Sequence, residues 1–97
     1  MAPSILQIKV SAVKRLLKEE GFYKLELLEN ERYFNHIKAS NADAYEVKKQ
    51  SQILEESHRI VSEVLQKISQ HKNALGAFLK SYQGEENTTE AHELAKC

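Results

Sequence analysis

The chain has 97 residues, the size of one small domain, and its 14 basic and 14 acidic side chains give a net charge of zero. A neutral chain lacks the surplus of cations that a general nucleic-acid binder needs, so we expect no nucleic-acid partner. Three glycines and one proline are too few turn residues for a β-sandwich or barrel. Ala, Glu, Lys, Leu and Arg make up 47 of the 97 residues, a composition typical of long helices and coiled coils.

The first predicted helix covers residues 4–39. Ser4 and Gln7 form an S-x-x-Q capping-box pattern directly after the only proline, Pro3. Apolar residues then recur at helical spacing in two seven-residue series. The series are Leu6, Val13, Glu20, Leu27 and Phe34, and Lys9, Leu16, Tyr23, Asn30 and Ile37. Glu20 and Asn30 interrupt the stripe, either to set the register of a helix seam or to leave an opening for a partner.

The second predicted helix covers residues 44–83. It follows the turn-forming segment 40–43, and Asp43 with Glu46 fits a capping box at its start. Gly84 fits the C′ position at its end. Six apolar residues stand seven apart, which predicts that Leu54 and Val61 are core residues: Val47, Leu54, Val61, Ile68, Leu75 and Tyr82.

A companion series on the second helix is mixed: Gln50, Ser57, Val64, His71 and Phe78. On this series we expect His71 to be a packed, hydrogen-bonded histidine. Favourable i,i+4 ion pairs are predicted for Glu20 with Lys24, Glu55 with Arg59, and Glu63 with Lys67.

A short third helix is predicted at residues 88–96, capped by Asn87 or Thr88. The four-residue connection between two helices of similar length makes them antiparallel neighbours. We therefore expect a single all-α domain over residues 1–97, a three-helix bundle made of a long antiparallel α-hairpin and a short C-terminal helix. The apolar stripe of the second helix is wider than one neighbour covers, which favours a homodimer.

Motifs for catalysis are missing from the sequence. The four histidines show no metal-ligand spacing, and no glycine-rich loop precedes a helix. Because a small helical hairpin also offers no sizeable pocket, we expect neither an enzyme nor a bound cofactor or metal. The residues alone thus indicate a helical interaction module, and a generic coiled-coil adaptor or scaffold is one form of it.

The expected location is cytoplasmic. No apolar run approaches the ~20 residues of a membrane span, so we expect no membrane partner. The lone cysteine, Cys97, rules out an intrachain disulfide and favours a reducing compartment. Residues 1–18 are basic enough for a mitochondrial presequence. Their helical pattern continues without a break through Glu19 and Glu20, which argues against that interpretation.

Several surface features have two readings. Lys9–Lys18 is basic and Glu85–Glu93 is acidic, and the hairpin brings the two segments to one end, where they either pair or form a docking patch. Gly21 and Gly76 lie inside helices. Either a neighbouring backbone approaches closely at these positions, or the helices simply tolerate the glycines. Phe22, Tyr33 and Tyr45 stand outside the main series, so they face either a partner or the third helix.

Three blocks carry a family resemblance. Residues 7–10 with 13–23 resemble the opening of tubulin-specific chaperone A, also called tubulin-folding cofactor A. Residues 45–57 resemble the start of that family's second helix, and residues 78–84 are similar to its fungal members. The resemblance covers residues 2 to about 86, with Ser62 where relatives have a proline.

The resemblance implies a chaperone that binds β-tubulin, as a folding intermediate or in excess, and passes it toward αβ-tubulin heterodimer assembly. It implies association with the microtubule cytoskeleton, binding through helical faces without nucleotide or metal, and homodimers as in fungal relatives. The partner implied is an acidic protein, so exposed charges in the matched blocks are the candidate contacts: Lys14, Arg15, Lys18, Lys48, Lys49 and Glu56.

Overall fold

A computed structural model describes residues 2–96, which form three α-helices: α1 (Ile5–Ala39), α2 (Ala44–Lys80) and α3 (Thr89–Ala95). No strand occurs within this range. Near the connection Tyr33 contacts Glu46, whereas Asn30 contacts Ser57, so α1 and α2 run antiparallel. The predicted all-α fold, a long helical hairpin with a short third helix, is confirmed. Cys97 lies outside the described residues.

Both ends of α1 are closed by local hydrogen bonds. The Ser4 Oγ accepts from the Gln7 N–H at 3.1 Å, and the Gln7 Oε1 accepts from the Ser4 N–H at 2.9 Å, which confirms the predicted capping box. At the other end Asn41 adopts a left-handed backbone with φ 56°. The next N–H, that of Ala42, then donates to the Ile37 carbonyl at 3.1 Å, as in a Schellman motif.

The ends of α2 differ from the prediction. The Asp43 Oδ1 accepts from the Tyr45 N–H at 3.4 Å, but the Glu46 carboxylate accepts from the Tyr33 hydroxyl, so the reciprocal capping box does not form. The helix ends at Lys80, not residue 83, because the next two N–H groups bond three residues back, to Phe78 and Leu79. Gly84 is not a left-handed C′ residue, since no described glycine has positive φ.

Three further features lie at the start of α3 and inside the two long helices. The Asn87 Oδ1 accepts from the Thr89 N–H at 2.9 Å at the start of α3, where Thr88 makes no side-chain capping bond. The helix α2 continues without a break through Ser62. A Cβ on Gly21 would meet nothing within 4 Å, and one on Gly76 would meet only the Ala95 methyl at 4.0 Å, so neither glycine serves a close approach.

Contacts divide the chain into two compact units, one with residues up to Lys18 and from Leu65 onward, the other with Glu19–Val64. The first unit, which we call the α3 unit, contains the start of α1, the end of α2, and α3. Its core is formed by Leu6, Val13, Leu75 and Ala91, with Val13 and Leu75 fully enclosed. The Lys9 ammonium lies 5.5 Å from the centre of the Phe78 ring at the edge of this core.

The second unit, which we call the hairpin unit, contains the end of α1, the turn, and the start of α2. Its buried residues include two polar side chains, Gln50 and Ser57, beside the apolar Ile37 and Val64. Asn30 donates from Nδ2 to the Ser57 Oγ at 2.7 Å, so this polar pair is satisfied inside the seam. Asn30 therefore lies in the helix seam, as the first of its two interpretations predicted.

The register predicted for α2 is wrong in the hairpin unit. Leu54 and Val61 are only half-buried, whereas the mixed companion positions Gln50, Ser57 and Val64 are buried. With α1 as the single neighbour, the seam centres on the companion series and leaves the apolar heptad at its edge. The companion series does not stay buried along the whole helix, because His71 in the α3 unit is exposed and not packed as predicted.

Ion pairs on the helix surfaces partly follow the predicted spacing. Lys24 and Glu20 pair at 3.2 Å as expected. Arg59 instead pairs with Glu56, Nε to Oε2 at 3.1 Å, and with Glu63 at 3.1 Å. The predicted partners Glu55 and Lys67 do not take part in those pairs, because the arginine fork reaches both an i−3 and an i+4 carboxylate.

Candidate partner-binding surface

Three of the six predicted contact residues stand together on α1, and we call them the α1 basic cluster: Lys14, Arg15 and Lys18. Lys14 and Lys18 are one helical turn apart and share a face. All three side chains are exposed, and with Ser11 they line a shallow groove of about 270 Å³ in the α3 unit. A groove of this kind presents positive charge to solvent and suits contact with an acidic surface.

The α1 basic cluster also meets the acidic segment of the chain. The Lys14 Nζ lies 3.3 Å from the Glu90 Oε2 of α3, with both side chains more than half exposed. Nearby, the Ser4 hydroxyl donates to the Glu86 Oε2 at 3.0 Å, and the Tyr82 hydroxyl donates to the Glu86 Oε1 at 3.2 Å. The basic and acidic segments therefore pair with each other through Lys14 and Glu90.

The other predicted contact residues, Lys48, Lys49 and Glu56, lie on α2 in the hairpin unit and are exposed. Lys49 and Glu56 line an open groove of about 410 Å³ whose apolar lining includes Ile53 and Ile60. Lys48 and Lys49 line a second groove of about 400 Å³ with Tyr45 and Gln52. Glu56 is the least available of the three, because Arg59 already holds its carboxylate through two guanidinium nitrogens.

An apolar stripe lies on the exposed side of α1. The sequence singled out its first residue, Phe22, as lying outside the main series, but not its other two residues. It comprises Phe22, Leu25 and Leu28 in the hairpin unit, residues that are 65%, 57% and 42% exposed. The spacing of three residues places them along one side of the helix, next to the open face at Gly21. Leu25 and Leu28 belong to neither heptad series of α1, and this departure from the pattern is the feature of the sequence that could have indicated their exposure. Three exposed apolar side chains in seven residues make this stripe a candidate contact surface.

The two other exposed aromatics of this unit behave differently. Tyr33 donates its hydroxyl to the Glu46 Oε1 at 3.1 Å, and this bond, the carboxylate charge and desolvation raise the pKa of Tyr33 above its ordinary value. Tyr45 is 73% exposed. Tyr33 therefore links α1 to α2, whereas Tyr45 presents its ring to the solvent.

The arrangement suits recognition of a protein surface. Among residues 2–96, no group of three or more His, Cys, Asp and Glu side chains is placed to hold a metal ion. None of the three helices has the length and apolar character of a membrane span. The grooves are shallow and lined largely by charged or amide side chains, so they fit long side chains of a partner rather than an enclosed small molecule.

Comparisons with known proteins give one family. The family model for tubulin binding cofactor A matches residues 1–97. The tubulin-specific chaperone A of Saccharomyces cerevisiae is 42% identical over 92 residues, which cover 94% of this chain and 87% of that protein. The tubulin-specific chaperone A of Rattus norvegicus is 32% identical over 88 residues, 91% of this chain and 79% of that protein.

Solved structures agree with the sequence match. A beta-tubulin binding post-chaperonin cofactor superposes with a TM-score of 0.87 at 39% identity, over 95% of this chain and 91% of the other. The tubulin folding cofactor A of Arabidopsis thaliana has a TM-score of 0.77 at 22% identity, over 93% and 88%, and supports the fold. With the family model spanning the whole sequence and the yeast relative matching most of it, this chain belongs to the tubulin binding cofactor A family.

Proposed function

We propose that the protein is a tubulin-folding chaperone that binds β-tubulin, as a folding intermediate or as free excess, and passes it toward αβ-tubulin heterodimer assembly. The observation that carries the proposal is the match to a beta-tubulin binding post-chaperonin cofactor, with a TM-score of 0.87 over 95% of this chain. The 42% identity to a yeast tubulin-specific chaperone supports it from the sequence.

The contact with β-tubulin is a broad helical face that acts without catalysis, nucleotide or metal. Broad protein interfaces concentrate their binding energy in a few residues surrounded by a polar rim. The α1 basic cluster, Lys48, Lys49 and Glu56 supply exposed charges, and Phe22 with Leu25 supplies apolar area. The cations speed encounter with an acidic partner, and this effect weakens as salt shortens the Debye length to about 8 Å at physiological strength.

The proposed location is the cytosol, in association with the microtubule cytoskeleton, and the proposed assembly is a homodimer. Support for the homodimer comes from the hairpin unit, where Leu54 and Val61 remain half-buried and Ile53 is exposed. A second copy is a common way to cover such an apolar edge. Sedimentation equilibrium at tens of micromolar should then give twice the chain mass of 11.1 kDa, and a monomer mass would exclude the homodimer.

Capture of tubulin from a lysate tests the function. The immobilised protein should retain β-tubulin in preference to α-tubulin, and it should do so with EDTA present and without added nucleotide. Equal retention of both tubulins, or of neither, would contradict the proposal.

Charge reversal tests the contact residues. One variant changes Lys14, Arg15 and Lys18 to Glu, and another changes Lys48 and Lys49 to Glu. A control changes Arg32 and Lys67, two exposed cations outside the predicted set, to Glu. We expect at least one of the first two variants to lose about tenfold in affinity at low salt, and the control to lose less. Helicity is checked each time, and unchanged capture by both variants at low and high salt would contradict the electrostatic contact.

A further inference from the structure

Lys14 occupies the border between an acidic and a basic groove of the α3 unit. On one side a groove of about 360 Å³ is lined by Lys14 together with Glu86 and Glu90. On the other side Lys14 lines the groove of the α1 basic cluster with Arg15 and Lys18. The same ammonium group can therefore pair with a carboxylate of α3 or with a carboxylate that approaches the basic cluster from solution.

We infer that Glu90 is an intramolecular competitor for the α1 basic cluster, and that an acidic segment of the bound partner displaces its carboxylate from Lys14. The inference rests on the proposed function, because it names the chemistry of the β-tubulin segment that contacts this cluster. The structure contains an intramolecular example of a carboxylate bound to this cluster, because the Glu90 Oε2 lies 3.3 Å from the Lys14 Nζ.

The energetics allow the exchange. The Lys14 and Glu90 side chains are 53% and 63% exposed, and an exposed ion pair of this kind contributes little to stability because water and salt screen it. A partner segment with several carboxylates contacts Lys14, Arg15 and Lys18 together, whereas Glu90 contacts only Lys14. The intramolecular pair thus reduces affinity for weakly acidic segments and yields to strongly acidic ones.

The exchange does not require α3 to leave the unit. The helix has seven residues, too few to persist alone, so its position depends on docking. Docking comes from Ala91, which is 2% exposed in the core with Leu6, Val13 and Leu75, and from the Lys72 ammonium, which donates to the Lys96 carbonyl at 3.2 Å. These contacts are separate from the Lys14–Glu90 pair, so α3 remains docked when the pair opens.

The chain offers a matched control for Glu90. Glu93 is on the same helix, and its side chain is 67% exposed. It pairs at 3.2 Å with Lys96, the residue directly after α3, and not with α1. The changes Glu90→Gln and Glu93→Gln remove the same charge from the same helix. Only the first releases Lys14.

The test measures binding of a hexaglutamate peptide, and separately of β-tubulin, to the wild type and to both variants. We expect Glu90→Gln to raise affinity for each about two- to fivefold at low ionic strength, and Glu93→Gln to raise it less. The gain should vanish at high salt and when Lys14 is also changed to Gln. Equal effects of the two variants, or weaker binding by Glu90→Gln, would overturn the inference.

A charge-swapped variant separates competition from a structural role. Lys14→Glu with Glu90→Lys keeps the net charge and the ion pair but removes one cation from the cluster. Peptide binding should then fall below wild type while helicity is unchanged, and wild-type binding would mean that the pair is only structural. If the wild type fails to bind β-tubulin, the proposed function fails, and the peptide measurements still decide the competition. If β-tubulin binds but Glu90→Gln does not change its affinity, the inference fails alone.

Discussion

Asn30 and Ser57 form a hydrogen bond of 2.7 Å between Nδ2 and Oγ across the seam of the hairpin unit. Ser57 is buried, and Asn30 is partly buried beside it. Both residues occupy positions where a helix seam usually has apolar side chains. Because each polar group finds its partner on the other helix, the pair fixes the register of α1 against α2 at this point. A slip of either helix by one residue would leave both polar groups without this partner.

The first prediction concerns the polar pair. Asn30→Ala and Ser57→Ala should each lower the free energy of unfolding by about 1 kcal/mol, because each leaves the other group without its bond. The double variant should lose less than the sum of the two single losses, as expected for residues in contact. Urea unfolding followed by circular dichroism measures all four proteins, and strictly additive losses would show that the bond contributes nothing.

The second prediction concerns the core. Leu75→Ala should lower the free energy of unfolding by about 2–5 kcal/mol, because the side chain is fully enclosed in the α3 unit. Leu65→Ala is the matched control on the same helix, 43% exposed, and should stay within about 0.5 kcal/mol of wild type. The half-buried Leu54 should fall between the two when changed to Ala. A loss for Leu54 as large as that for Leu75 would restore the register predicted from the heptad.

The third prediction is that the chain unfolds as a single domain. Both long helices run through both contact units, so we expect one cooperative unfolding transition. Tyrosine fluorescence reports mainly on the hairpin unit, which holds Tyr23, Tyr33 and Tyr45, whereas circular dichroism reports on all helices. The two signals should change together in urea, and separate midpoints would show two domains.

The fourth prediction concerns alkaline pH. The hydrogen bond to Glu46, its charge and desolvation raise the pKa of Tyr33 above the ordinary 10.0. The folded chain then holds the phenol proton more tightly than the unfolded chain. This contribution to stability is therefore complete below pH 10.0 and is lost as the pH rises through the raised pKa.

An ultraviolet titration of the tyrosines measures the effect. Glu46→Gln should lower the pKa of one phenol, and Tyr33→Phe should remove that titration from the profile. Glu55→Gln, an exposed carboxylate elsewhere on α2, serves as the control and should leave the profile unchanged. A profile that does not respond to Glu46→Gln would exclude the Tyr33–Glu46 bond in solution.

Features that depend on a few neighbouring residues were predictable from the sequence. The capping box of Ser4 and Gln7, the first helix and the turn at residues 40–43 follow from local hydrogen bonding and side-chain preferences. Three blocks of the sequence, in matching order, also resemble the family that the comparisons then showed. The same local pattern failed at Asp43 and Glu46. The Glu46 carboxylate accepts a hydrogen bond from the Tyr33 hydroxyl of α1 and does not cap its own helix.

The tertiary structure alone decided which face of α2 is buried and what Lys14 contacts. Burial depends on how many helices cover a face, so one heptad can be enclosed at Leu75 and remain half-open at Leu54. The Lys14–Glu90 pair joins residues 76 positions apart, and the docking of α3 through Ala91 and the Lys72–Lys96 hydrogen bond brings that carboxylate to α1. Sequence periodicity specifies the direction of a side chain around its own helix, whereas the neighbours that face it are set by how the helices pack.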